Sequence, residues 1–141
     1  MTMTDRPRIV LDTNILLASI GTESPYRWVF EAILDGQLTL CVSTPILREY
    51  EAVIGRKTTV DIAENVLRAL TFLPNVERAR VSYRWHLIER DPDDNVFVDT
   101  AVAAGAHAIV THDAHFDVLS ALDFPTIEVW DADTLRKTMS G

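Results

Sequence analysis

Short apolar runs alternate with amphipathic stretches along the whole chain, and the apolar runs tend to stop at a polar residue. Arg8–Leu11 reads as a first strand that runs into Asp12, with a helix starting over residues 14–20. Residues 21–25 read as a turn, and Ser24-Pro25 places proline at the first position of a helix through about residue 34. Asp35-Gly36 ends that helix and residues 38–42 form a second strand. Ser43-Thr44-Pro45 caps a helix carrying Ile46, Leu47, Tyr50, Val53 and Ile54 at helical spacing, with a break expected at Gly55-Arg56-Lys57. Residues 59–73 form another amphipathic helix, whose apolar side holds Val60, Ala63, Val66, Leu67 and Leu70.

Pro74-Asn75 turns the chain into an extended segment over 76–81. Asp91-Pro92-Asp93-Asp94-Asn95 is a stop-and-restart signal before a helix over 96–104, which Gly105 ends. Ala108–Val110 is a short buried strand leading into Thr111-His112-Asp113. A brief helix over 116–122, a strand over 126–130 and a last helix capped by Asp131-Ala132-Asp133 complete the chain. Strands alternating with helices predict a mainly parallel sheet covered on both faces. The fold expected is a three-layer α/β/α sandwich. With no repeat, linker or low-complexity tract, it is one domain over 1–141 with its core at about 8–130.

Ligands in such sheets bind at the carboxyl edge of the strands. Asp12 and Asp113 each follow a strand and share that edge if the strands are parallel. Asp94 opens the helix leading toward the Asp113 strand, and Glu49 flanks the buried face of the third helix beside Tyr50. Each acid has a plainer reading. Asp12 and Asp94 are natural helix caps, Asp113 suits a turn, and Glu49 could pair with Arg48 or Arg56. Together they favour a site, because acids gathered at one edge repel unless a cation lies between them. Oxygen ligands without cysteine suit Mg²⁺ or Mn²⁺, one ion or two. Asp91 and Asp93 compete with Asp94 for this role, whereas Asp99, about 140° further round the helix, should point elsewhere. His112 and His115 flank Asp113 and read chiefly as loop histidines, with contact to phosphate a secondary role.

The formal net charge of −8 argues, taken alone, against a nucleic-acid partner, unless bound cations reverse the local field. Arg48, Arg56 and Lys57 could grip a backbone, with a solvated face the default. No apolar run approaches the roughly 18–20 residues of a membrane span, and no apolar leader is seen, so the expected compartment is the cytoplasm, away from membranes. The single cysteine, Cys41, is expected reduced and in the core. Trp28, Trp85 and Trp130 read as packing anchors rather than base-stacking platforms.

Four segments in order carry a resemblance: residues 10–16, residues 43–54 with Glu49, residues 91–95, and residues 109–113. They look like the successive motifs of PIN-domain ribonucleases, and of the toxins of prokaryotic toxin–antitoxin systems in particular. The resemblance implies a metal-dependent endoribonuclease acting on RNA, an antitoxin partner and a possible homodimer. Carried over position by position, it makes Asp12, Glu49, Asp94 and Asp113 the metal-binding and catalytic acids, with Asn14 and Thr111 in support. The chain departs from the family between Thr111 and Phe116, where a glycine and a further acid are common but His112, Ala114 and His115 stand. Two other classes compete. A non-catalytic module using the same fold for association would show little Mn²⁺ affinity. An aspartyl phosphoryl-transfer enzyme would want an acid two residues after Asp12, where Asn14 stands.

Overall fold

A computed structural model describes residues 6–89 and 91–140. Five strands form one sheet: β1 (Arg8–Leu11), β2 (Thr39–Val42), β3 (Val76–Arg78), β4 (Ala108–Val110) and β5 (Glu128–Trp130), in the order β3-β2-β1-β4-β5. Every pairing is parallel, with Ile9 between Leu40 and Ala108, and Leu11 beside Val110. The central strands read as unbroken apolar runs because helices cover both faces of the sheet. Ile9, Val10 and Leu11 of β1 and Ala108, Ile109 and Val110 of β4 are fully buried. The expected α/β/α architecture is the one formed.

The helices are α1 (Thr13–Ser19), α2 (Arg27–Leu34), α3 (Thr44–Lys57), α4 (Val60–Phe72), α5 (Asn95–Ala104) and α6 (Ala132–Ser140). Ser43 caps α3 through its side chain, Thr59 does the same for α4, and Gly105 ends α5 in the left-handed region at φ 63°. Several boundaries differ from those the sequence suggests. Helix α2 starts at Arg27, because Ser24-Pro25-Tyr26 is spent in a turn closed by the Ser24 hydroxyl. Helix α3 runs through Gly55 without a break, packed against α4, where a Cβ on Gly55 would meet Ala63 at an ordinary 3.8 Å. Val60, placed by its spacing on the apolar side of α4, is exposed at the first turn. Residues 114–121 form a 3₁₀ helix rather than an α-helix. The extended segment after Pro74 pairs only over Val76–Arg78 and then leaves the sheet.

Two polar contacts fix the sheet edges. At the amino edge the Arg8 guanidinium donates to both Glu77 carboxylate oxygens, at 2.8 and 3.1 Å, and to the Ala104 carbonyl. At the carboxyl edge the Tyr50 hydroxyl, fully buried, donates to the Leu11 carbonyl at 2.6 Å. Burial, with the Asp12 charge second, pushes that phenol far above its usual range, so it stays a donor. Cys41 is buried in β2 and unpaired. Among the described residues no helix is long and apolar enough to cross a membrane.

The Tyr50 contact ties α3 to the last residue of β1, one position before Asp12. Tyr50→Phe is expected to leave a buried carbonyl without its donor and to cost about 1–3 kcal/mol. Urea unfolding with an unchanged m-value is the measurement. A loss under about 0.5 kcal/mol would show that the Leu11 carbonyl does not depend on this hydroxyl.

Candidate functional site

Parallel strands bring their carboxyl ends to one edge, and β1 and β4 are neighbours. The Asp12 N–H continues their ladder by donating to the Val110 carbonyl at 3.0 Å, so Asp12 and Thr111 leave the sheet side by side. Both are buried. The Thr111 hydroxyl donates to Asp12 Oδ2 at 2.7 Å and accepts from the Asp113 N–H at 3.0 Å. Asp113 Oδ1 accepts from the His115 N–H at 2.9 Å and so caps the 3₁₀ helix that follows. One continuous chain of hydrogen bonds therefore runs from Asp12 to His115.

Asp94 reaches the same place from the other side. It closes the 3₁₀ turn Pro92–Asp94 and precedes α5, which packs against β1. The His115 ring lies between the acids, with Nδ1 3.3 Å from Asp94 Oδ2 and 3.4 Å from Asp113 Oδ1. Ligand atoms of Asp91, Asp94 and His115 all fall within 4.8 Å of one another. Asp93 is exposed and is not part of this group; its N–H donates to Asp91 Oδ1 at 3.2 Å.

The electrostatics follow from burial and crowding. Burial, then the Asp91 charge, push the Asp94 carboxyl up to about 6; His115 pulls it down, and Asp113 and Asp12 add to the rise. Burial also raises Asp12, opposed by the Thr111 hydroxyl and by the Asn14 and Thr13 amides, with Asp113 adding repulsion. Next in the chain to Asp12, the buried Thr13 hydroxyl has no hydrogen-bond partner among the described residues.

The other candidates have surroundings of their own. Asn14 is exposed and lines a hollow of about 310 Å³ together with Asp12, Tyr26, His112 and Asp113. Glu49 is half-buried on α3 beside Tyr50, with no hydrogen bond or ion pair to another described residue. The His112 ring packs on Tyr26, and its Nε2 accepts from the Ala132 N–H at 3.2 Å, which ties the loop to α6. Asp99 does point elsewhere, accepting from the Trp85 N–H at 2.9 Å. His115 is the residue whose placement the sequence understates. Its spacing from Asp113 is that of a residue whose N–H caps onto an aspartate two positions back, and this turns its ring toward the acids.

This arrangement offers mostly carboxylate oxygen with one imidazole, partly buried and mutually repelling. Such a set suits a hard divalent cation.

A family profile described as PIN domain matches residues 8–115. The chain is 32% identical over 91 residues to the protein named Ribonuclease VapC23 of Mycobacterium tuberculosis, a stretch covering 60% of this chain and 72% of that one. Its fold resembles that of VapBC2 from Rickettsia felis, solved bound to a DNA fragment from their promoter: TM-score 0.60, 15% identity, 88% of this chain and 98% of that one. It also resembles FitAcB from Neisseria gonorrhoeae, at TM-score 0.52 and 16% identity over 86% of this chain and 96% of that one.

The raised Asp94 carboxyl makes a signed prediction for the protein without metal. A carboxyl raised in the fold contributes stability below its unfolded value, near 3.8, and loses it as pH rises through about 6. Wild type should therefore lose stability relative to Asp94→Asn between about pH 4 and pH 6, by on the order of 2 kcal/mol, and run parallel to it above. Urea melts of both proteins in EDTA across that range are the check. Parallel curves throughout would mean that Asp94 is not held in a repelling, desolvated setting.

Proposed function

This chain belongs to the PIN-domain family, and on that footing we propose that it is a metal-dependent endoribonuclease, the toxin of a toxin–antitoxin pair. The reaction is hydrolysis of RNA phosphodiester bonds, and its place is the sheet edge where Asp12, Asp94 and Asp113 meet. The observation that carries the reading is their convergence: acids from two adjacent strand ends and one helix start, close enough to shift one another's protonation.

The residues present fit a divalent cation. Its donors are hard oxygens, their repulsion calls for a positive charge, and the buried hydroxyl of Thr13, the residue after Asp12, lacks a partner among the described residues. Asp12, Asp94 and Asp113 would hold Mg²⁺ or Mn²⁺, with Glu49 on the flanking helix, and Asp91 and His115 on the outer side. When bound, such a cation lowers the pKa of water and offsets charge on the scissile phosphate.

The chain's own groups do the positioning. Thr111 fixes the rotamer of Asp12 by donating to it, and the amide it receives from Asp113 keeps the hydroxyl proton aimed at Asp12. His115 holds Asp94 and Asp113 at a common distance from one ring nitrogen. Asn14 presents an amide to the hollow beside Asp12, where a phosphate oxygen or water would lie. An antitoxin that covers this edge would silence the enzyme by keeping RNA from the acids.

Asp12→Asn tests the assignment. Cleavage of RNA in Mn²⁺ or Mg²⁺ should fall by more than the about 10–100-fold that losing an outer-shell partner costs, and Thr111→Val should fall within that range. In EDTA the Asp12→Asn protein should melt at the same temperature as wild type or higher, since repulsion is relieved. Mn²⁺ should raise the melting temperature of wild type but not of the variant. Full cleavage by the variant would remove Asp12 from the reaction. A wild type that neither responds to Mn²⁺ nor cuts RNA would instead be a binding module.

A further inference from the structure

A second feature occupies the same sheet edge on the far side of β1. A groove of about 550 Å³ runs between the start of α3 and the first turns of α5, its third wall being the segment that follows β3. Ser43 and Thr44 floor one side, at the carboxyl end of β2. Asn95 stands on the other, the residue immediately after Asp94. Asp12, Asp94 and Asp113 do not themselves line the groove; its link to them is the shared carboxyl edge and the Asp94-Asn95 step in the chain.

The wall segment, residues 79–88, has no regular structure and yet is pinned. The Trp85 N–H donates to Asp99. Ile88 exchanges two bonds with the Asn95 side chain, its N–H donating to Oδ1 and its carbonyl accepting from Nδ2, both at 2.9 Å. Between these anchors His86 adopts φ 53°, a left-handed backbone unusual outside glycine. Such strain persists where surrounding contacts over-determine it, and it gathers at ligand-binding segments.

What the segment presents is charge of the opposite sign to the chain. From Arg78 to Ile88 there is no acid, in a protein of net charge −8. Arg80, Arg84 and His86 are exposed and line the groove, and among the described residues neither arginine has an ion-pair partner. Beside them Tyr83, 63% exposed, meets Trp85 edge-on at 4.8 Å, and Trp85 meets Phe124, 76% exposed, at 5.5 Å. Unpaired arginines with exposed aromatic faces are what single-stranded nucleic acid uses, phosphate to cation and base to ring.

We propose that this groove is the track for the substrate strand: Arg80 and Arg84 hold backbone phosphates of single-stranded RNA, and Tyr83 offers a face to a base. It deepens the ribonuclease reading and rests on it. The sequence pattern did not single out Arg80 or Arg84; it offered Arg48, Arg56 and Lys57 on α3, with a solvated face as their default.

The test is binding, separate from cleavage. Fluorescence anisotropy of a fluorescein-labelled random-sequence RNA of about 12 nucleotides is measured on Asp12→Asn with and without Arg80→Ala/Arg84→Ala, across a salt series. Loss of two phosphate contacts should weaken binding about tenfold or more and flatten the log–log salt slope by about 1.4. Arg80→Lys/Arg84→Lys should recover most of the affinity, since a point charge suffices for phosphate, and circular dichroism should not change. Unchanged affinity and slope would overturn the proposal. So would intact RNA binding with loss of a poly-glutamate peptide, which would assign the groove to an acidic protein segment. Cleavage of the same RNA by the otherwise wild-type protein keeps the two readings apart. RNA affinity that depends on the arginines, without cleavage, sinks the hydrolytic reading and upholds the groove. Cleavage with arginine-independent affinity does the reverse.

Discussion

Parallel pairing of β1 with β4 is the constraint from which the chemistry of this molecule follows. Each strand is an apolar run that must be buried on both faces, and each ends in a turn that carries an aspartate one or three residues on. Register then leaves little choice. Once Leu11 lies beside Val110, Asp12 and Thr111 emerge together, and Asp113 follows within the field of Asp12. Bringing like charges together at a desolvated edge is unfavourable in itself. The fold tolerates it because the hydrophobic register that causes it involves six fully buried residues, while the repulsion falls on one edge that polar donors and a cation can relieve.

Donors are supplied in a definite order. Thr111 satisfies Asp12 and is itself satisfied by the amide of Asp113, which in turn receives the amide of His115. Each link orients the next, so the position of the His115 ring is set by backbone geometry begun at the end of β4. That ring then touches Asp94, which arrives on a different element. Two halves of the edge are thus coupled through one imidazole, and a change at either strand end will be felt at the start of α5.

The architecture and the strand-end acids were legible from pattern alone, because burial on both faces leaves an unmistakable apolar run and an acid after such a run has nowhere neutral to go. Helix α3 beyond Gly55 was not, since packing against α4 outweighs the modest helix penalty of one glycine. The 3₁₀ character of residues 114–121 was hidden because its apolar positions suit either helix type. His115 was read as a loop residue because its role depends on a capping turn, and periodicity carries no information about turns. Residues 79–88 were opaque for a related reason. Their conformation is imposed by Asp99 and Asn95, one of which had been set aside as pointing away from the site.

That last point bears on how an acidic protein handles an acidic substrate. Spread over the surface, thirteen basic side chains against twenty-one acids would repel a polyanion. Confinement changes the result, because interactions beyond about one Debye length, roughly 8–10 Å, are largely screened at cellular salt. A strand lying in a groove feels the arginines on its wall more than the distant acids on α4 or α6. On the proposed track the acids it would approach are Asp12, Asp94 and Asp113, and a cation held there would turn the nearest repulsion into attraction. Asp99 contributes differently. Buried, and accepting from the Trp85 N–H, it holds the basic segment in place, and its side chain is itself part of the groove wall. If the strand takes the proposed track, the distribution of charge along one sheet edge, and not the net charge of the chain, sets its affinity.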